Sequence, residues 1–158
     1  KVILYKVNAI DPTDVEMLNE YYFETMHHEF AHILHQKKNY PTEYNQISAA
    51  DYSSTGWQNR TEQQAWKLGF VTPYAGMEPQ EDFVEVIANY LVKPDGFWEN
   101  MLANAGTEGA TKIQTKFDMV KEWLMTAWNI DIDELRTIII RRSGDIDSIL
   151  NEKIAYNE

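Results

Sequence analysis

Apolar positions recur every three or four residues along several stretches of this chain, and that spacing predicts helices. In the first stretch, 13–38, Val15, Leu18, Tyr22, Met26, Phe30 and Ile33 form the stripe expected to face a core, with Asp11 or Thr13 as the cap. A second helix is predicted from Pro79, a residue favoured in the first helical turn, through Val92 to the "PDG" break. Phe83, Val84, Ile87, Tyr90 and Leu91 make one face of it; Glu81, Glu85 and Ala88 make the neighbouring face. The last third of the chain reads as three or four amphipathic helices, in which "IIIRR" at 138–142 is a buried segment with a solvated basic end.

Elsewhere the pattern changes. "KVILYKVNA" at 1–9 reads as a strand. Residues 39–60 are polar and dotted with aromatics, which predicts a long excursion with little regular structure. Thr61 and Gln64 fit a capping box for a short helix, "EQQAWKL", that stops at Gly69, and "FVTPYAGMEPQ" is a turning connection. The expectation is a single domain over 1–158, mainly α with a small N-terminal β element.

Composition narrows the function classes. The chain has 158 residues, enough to bury a sizeable core, and 44% of them are hydrophobic. A net charge of −11 repels phosphate backbones, so nucleic acid is not an expected partner. Cysteine is absent, which removes thiol nucleophiles, disulfides and Cys-based zinc sites. No apolar run reaches the roughly 18 residues of a transmembrane helix. A start at Lys1, without a signal peptide, is read as the C-terminal part of a longer protein.

Candidate chemistry concentrates in "HHEFAHILHQ", 27–36, which holds all 4 histidines. "HEFAH" matches H-E-x-x-H on a predicted helix: His28 and His32 lie one turn apart and can grip one ion. Glu29 then projects beside that ion, where it can take a proton from a metal-activated water. His35, about 10 Å along the axis from His28, is too far to wrap the same ion and is expected to support the site from behind. His27 points roughly 100° away and reads as a surface or packing residue.

The third ligand is a separate question. The metzincin extension fails, because its Gly and His positions hold His35 and Lys38. Cysteine being absent, a carboxylate is expected, and the 79–92 helix offers Glu81, Asp82 and Glu85. Glu81 and Glu85 are one turn apart, so if one binds the ion the other can orient a ligating imidazole.

"HEFAH" followed by "YAGMEPQEDFVE" resembles the gluzincin arrangement of the anthrax lethal factor type. "HHEFAHILHQ", "GFVTPYA" and "EDFVEVIANYL" look like a zinc metallopeptidase family of bacterial lipoproteins encoded beside TonB-dependent nutrient-import systems. The resemblance implies an α+β, zincin-like catalytic domain in which His28, His32 and Glu81 bind zinc and Glu29 is the base. It further implies that Tyr74 donates to the oxyanion and that Glu85 supports the ligand shell. A cell-envelope location, in an outer-membrane lipoprotein or the periplasm, and a TonB-dependent import complex as partner rest on that resemblance alone.

A phenol suits Tyr74's role physically, because it donates a hydrogen bond to a forming oxyanion without changing charge. The expected reaction is hydrolysis of a peptide bond in a peptide or protein substrate. Two rivals stand beside it: a non-catalytic binding module for nutrient peptides or glycopeptides, and a structural zinc site closed by a fourth protein ligand such as His35 or Asp82. Trp57, Trp66, Tyr44 and Tyr52 are further candidates to line a substrate groove.

Overall fold

The structure, a computed structural model, describes residue 11 and residues 14–155. The strand expected over 1–9 lies outside the described residues. Within them the fold is mainly helical, and no strand is present among the described residues.

The first predicted helix is interrupted. Asp14 takes the capping role, its Oδ1 accepting from Met17 N–H at 2.9 Å. A single turn α1 (Val15–Met17) passes into a π-helical segment, Leu18–Phe23, before α2 (Glu24–Lys37). The Glu24 N–H reaches back five residues to the Asn19 carbonyl, the π spacing, so the chain gains a residue that uniform α periodicity does not count.

The stripe read from sequence is therefore not the buried one. Met26, Phe30 and Ile33 are 38%, 55% and 36% exposed, whereas Ala31 and His35 are buried. The face packed inward carries His28, Ala31, His32 and His35, and it lies against α4 (Pro79–Val92). Ala31, 1% exposed, keeps that approach close. Burial here follows the polar groups shared between α2 and α4 rather than apolarity alone.

After α2 the chain makes two short 3-10 turns, Thr42–Gln46 and Gly56–Asn59, within the predicted excursion. The short helix α3 (Glu62–Leu68) has the expected capping box: Thr61 Oγ1 accepts from Gln64 N–H, and Gln64 Oε1 accepts from Thr61 N–H. Gly69 ends it at φ 88°, a conformation that favours glycine. A further 3-10 turn, Tyr74–Gly76, leads into α4, which starts at Pro79 as predicted.

The central helix is α4, with almost every side chain from Asp82 to Val92 buried. Around it lie α2, α6 (Gly106–Trp128) and α7 (Ile132–Ala155), while α5 (Phe97–Asn104) packs on α3 and α6. Among the described residues the C-terminal third thus forms three helices, and Ile138 to Ile140 are half-buried rather than buried. Phe83 on α4 anchors the core: Tyr40 stacks on it at 4.2 Å, and Tyr44 and Trp123 meet it edge-on, each at 5.1 Å. Burying such a ring contributes about 1.5–3 kcal/mol, which fixes α4 beneath α2 and α6.

Candidate metal centre

Two helices deliver the site. One turn of α2 presents His28 and His32, and the first turn of α4 presents Glu81 opposite them. His28 Nε2 lies 3.2 Å from His32 Nε2, and Glu81 Oε2 lies 3.1 Å from the first and 3.4 Å from the second. These atoms form a nearly equilateral triangle. Zinc bound to nitrogen and oxygen at about 2.0–2.1 Å in a tetrahedron separates its ligand atoms by about 3.3 Å, so the triangle has the size of one tetrahedral face.

The donor set fits a cation chemically as well. Glu81 Oε2 is buried and, although it lies beside both imidazole nitrogens, receives no well-directed hydrogen bond, which leaves an orphan that a cation between the three would satisfy. Burial opposes a charge on His28, but the Glu81 and Glu85 carboxylates on either side of the ring outweigh it and raise the pKa to about 9. The imidazoles of His28 and His32 beside it hold the Glu81 carboxyl well below the usual carboxylate range. Both shifts express the same demand for positive charge at the centre of the triangle. Among the described residues, these three alone form a cluster of potential ligands close enough to share one ion.

Each imidazole is also gripped from behind. A carboxylate can only accept, so His28 Nδ1–H donates to Glu85 Oε1, at 2.7 Å, and Nε2 is the nitrogen turned toward the triangle, where an ion would take the place of its proton. His32 Nδ1 lies 3.0 Å from His35 Nε2. His35 is 6% exposed, and burial together with the neighbouring His32 lowers its pKa, which keeps the ring neutral and able to accept.

Thr72 extends this support, and nothing in the sequence pattern ties it to Glu85. Its hydroxyl donates to Glu85 Oε2 at 2.6 Å and accepts from Ala75 N–H at 3.1 Å. One chain of hydrogen bonds thus runs from the Tyr74–Gly76 turn through Thr72 and Glu85 to His28. The only sequence hint was the proximity of Thr72 to Tyr74.

Glu29 and Tyr74 line a cleft of about 290 Å³ together with His28 and Glu85. The Tyr74 ring is 6.0 Å from that of His28, and burial with the nearby Glu81 charge raises its hydroxyl to a pKa of about 12. At neutral pH it is therefore a neutral donor. A larger cavity of about 750 Å³ adjoins this cleft at Glu20 and Glu24, but none of the three clustered ligands lines it.

The other candidates go elsewhere. Asp82 turns away from the triangle into the interior, where Lys116 Nζ pairs with it at 2.6 Å. His27 faces a separate apolar cavity beside Phe23 and Ile139. Of the four aromatics, Tyr44 and Trp66 are core residues and Tyr52 packs on Phe70, while Trp57 meets Tyr74 edge-on at 5.0 Å.

Comparison with known proteins agrees with this chemistry. Residues 1–133 match the family described as "Putative zinc-binding metallo-peptidase". A crystal structure of a "putative zinc-binding metallo-peptidase" from Bacteroides caccae ATCC 43185 is 52% identical, with a TM-score of 0.84. The match covers 89% of this chain and 54% of that one, so this chain spans about half the length of that relative. Among curated proteins no match is found.

Proposed function

Because this chain belongs to a family of zinc-binding metallo-peptidases, we propose that it hydrolyses peptide bonds at the cleft between α2 and α4. The observation that carries this reading is the triangle of His28, His32 and Glu81, with its orphaned carboxylate oxygen, opening beside Glu29 and Tyr74. Zinc is the family's metal, and these three side chains would hold it. When bound there, it supplies a Lewis acid that polarises the scissile carbonyl and acidifies a water.

The remaining work falls to side chains of this chain. Glu29 accepts the proton of the attacking water and passes it to the leaving amine. Tyr74 donates a hydrogen bond to the carbonyl oxygen as it gains charge. Glu85 and His35 hold the two imidazoles in the orientation and tautomer that ligation needs. Three protein ligands beside an open cleft favour a catalytic site over a closed structural one.

The resemblance to envelope lipoproteins encoded beside TonB-dependent importers supports a setting in peptide processing at the cell envelope. Hydrolysis is tested with zinc-loaded protein and a mixed peptide library, comparing wild type with Glu29→Gln. Cleavage by the wild type and its loss in the variant, at equal zinc content, is the expected result. A zinc-loaded wild type that binds peptides and leaves them intact would favour the binding-module reading.

A further inference from the structure

Lys116 is a charged side chain with no solvent exposure, and the chemistry above makes no use of it. Its ammonium has three hydrogens to place. One goes to Asp82 Oδ2 at 2.6 Å and one to the Gly69 carbonyl at 2.7 Å, while the nitrogen lies 4.4 Å from the centre of the Phe70 ring. Asp82, equally buried, also accepts from Tyr52 O–H at 2.7 Å. A single buried point on α6 thus joins the end of α3, the 39–60 excursion and the first turn of α4.

Those attachments coincide with the parts that carry the site. Asp82 follows Glu81 directly, and α4 has no side-chain cap at its N-terminus, so the ion pair supplies the lateral hold that a cap would otherwise give this turn. Gly69 opens the connection that delivers Thr72 and Tyr74. Burying two charges is costly, and apolar pairs of similar volume are often as stable, so stability alone gives little reason to place an ion pair here.

We propose that the buried Lys116–Asp82 pair is a positioning device for the metal centre: it sets Glu81 and the Gly69–Tyr74 connection in register with His28 and His32. The inference rests on the metallopeptidase reading only for its activity readout, because zinc affinity is measured without peptide. Two double variants test it. K116M/D82L replaces the pair by apolar groups of similar size; K116Q/D82N removes the charges and keeps groups that can hydrogen-bond to each other and to Gly69.

The readouts are the melting temperature of metal-free protein, zinc affinity by competition with a chromophoric chelator, and kcat and KM on a peptide the wild type cleaves. K116M/D82L is expected to melt within a few degrees of wild type, to bind zinc at least about tenfold more weakly and to lose kcat with KM little changed. K116Q/D82N is expected to recover most of the affinity. A folded K116M/D82L with zinc affinity at or near that of wild type overturns the proposal. Failure of K116M/D82L to fold also overturns it, because the pair would then serve folding. No recovery in K116Q/D82N overturns the hydrogen-bonded geometry. A wild type that binds zinc but cleaves nothing counts against the peptidase reading and leaves the affinity result standing.

Discussion

Glu85 and Glu81, one turn apart on α4, engage opposite nitrogens of the same imidazole: Glu85 Oε1 lies 2.7 Å from His28 Nδ1, and Glu81 Oε2 lies 3.1 Å from Nε2. A single helix therefore supplies both a group that meets the candidate metal and a group that aims its neighbour. If this division of labour holds, Glu85→Ala weakens zinc binding by about 10–100-fold while His28, His32 and Glu81 stay intact. Thr72→Val, which removes the bond to Glu85 and the acceptor for Ala75 N–H but leaves Glu85 in place, is expected to weaken it by less than about tenfold. Chelator competition measures both, and unchanged affinity in Glu85→Ala would remove Glu85 from the account.

His35 gives a parallel expectation for the second imidazole. In His35→Phe the aromatic packing against Tyr40 and Phe83 is kept but the acceptor facing His32 Nδ1 is lost. Zinc affinity should fall by about tenfold with little change in the far-UV spectrum. Equal affinities would make His35 a packing residue.

The charge balance of the triangle sets a pH dependence for the metal-free protein. With a folded pKa of about 9 against 6.5, His28 contributes stability that is complete below pH 6.5 and is lost as pH rises through 9. Glu81, depressed from 4.5, contributes stability above that pH and loses it in acid. This pair therefore favours the metal-free fold most between about pH 4.5 and 6.5. Between pH 6 and 9.5 the wild type should lose about 1–2 kcal/mol more than Glu81→Gln, and saturating zinc should abolish that difference. Thermal melts that show the same pH slope in both proteins would exclude the coupling.

Fold and site separate at Gly109. A Cβ there would stand 2.2 Å from the Trp66 carbonyl and 2.9 Å from Lys67 Cα, backbone atoms that cannot step aside. Gly109→Ala is expected to destabilise the α3–α6 crossing by about 1–3 kcal/mol, read as a lower Tm. Zinc affinity at a temperature where the variant is folded should be unchanged.

Local signals made much of this legible in the sequence. Pro79 marks the start of α4, Thr61, Gln64 and Gly69 bracket α3, and the four-residue spacing of His28 and His32 puts both on one face, because each is decided within a turn or two of helix. The buried face of α2 was misread for the opposite reason. Periodicity assumed uniform α geometry and an apolar interior, whereas a π segment precedes α2 and its inward face holds polar groups matched to α4. Thr72 and Lys116 were invisible for want of a spacing rule: Thr72 meets Glu85 thirteen residues on, and Lys116 meets Gly69 across 47 positions. Contacts of that kind depend on how helices dock, which no window of sequence contains.

Crystallography of zinc-loaded protein, with anomalous diffraction recorded at the zinc edge, shows whether α2 and α4 share one ion. One ion is expected within about 2.0–2.2 Å of His28 Nε2, His32 Nε2 and a Glu81 oxygen, with its remaining position open to the cleft that Glu29 and Tyr74 line. An ion placed away from Glu81, or closed off by a fourth protein ligand, would contradict this arrangement.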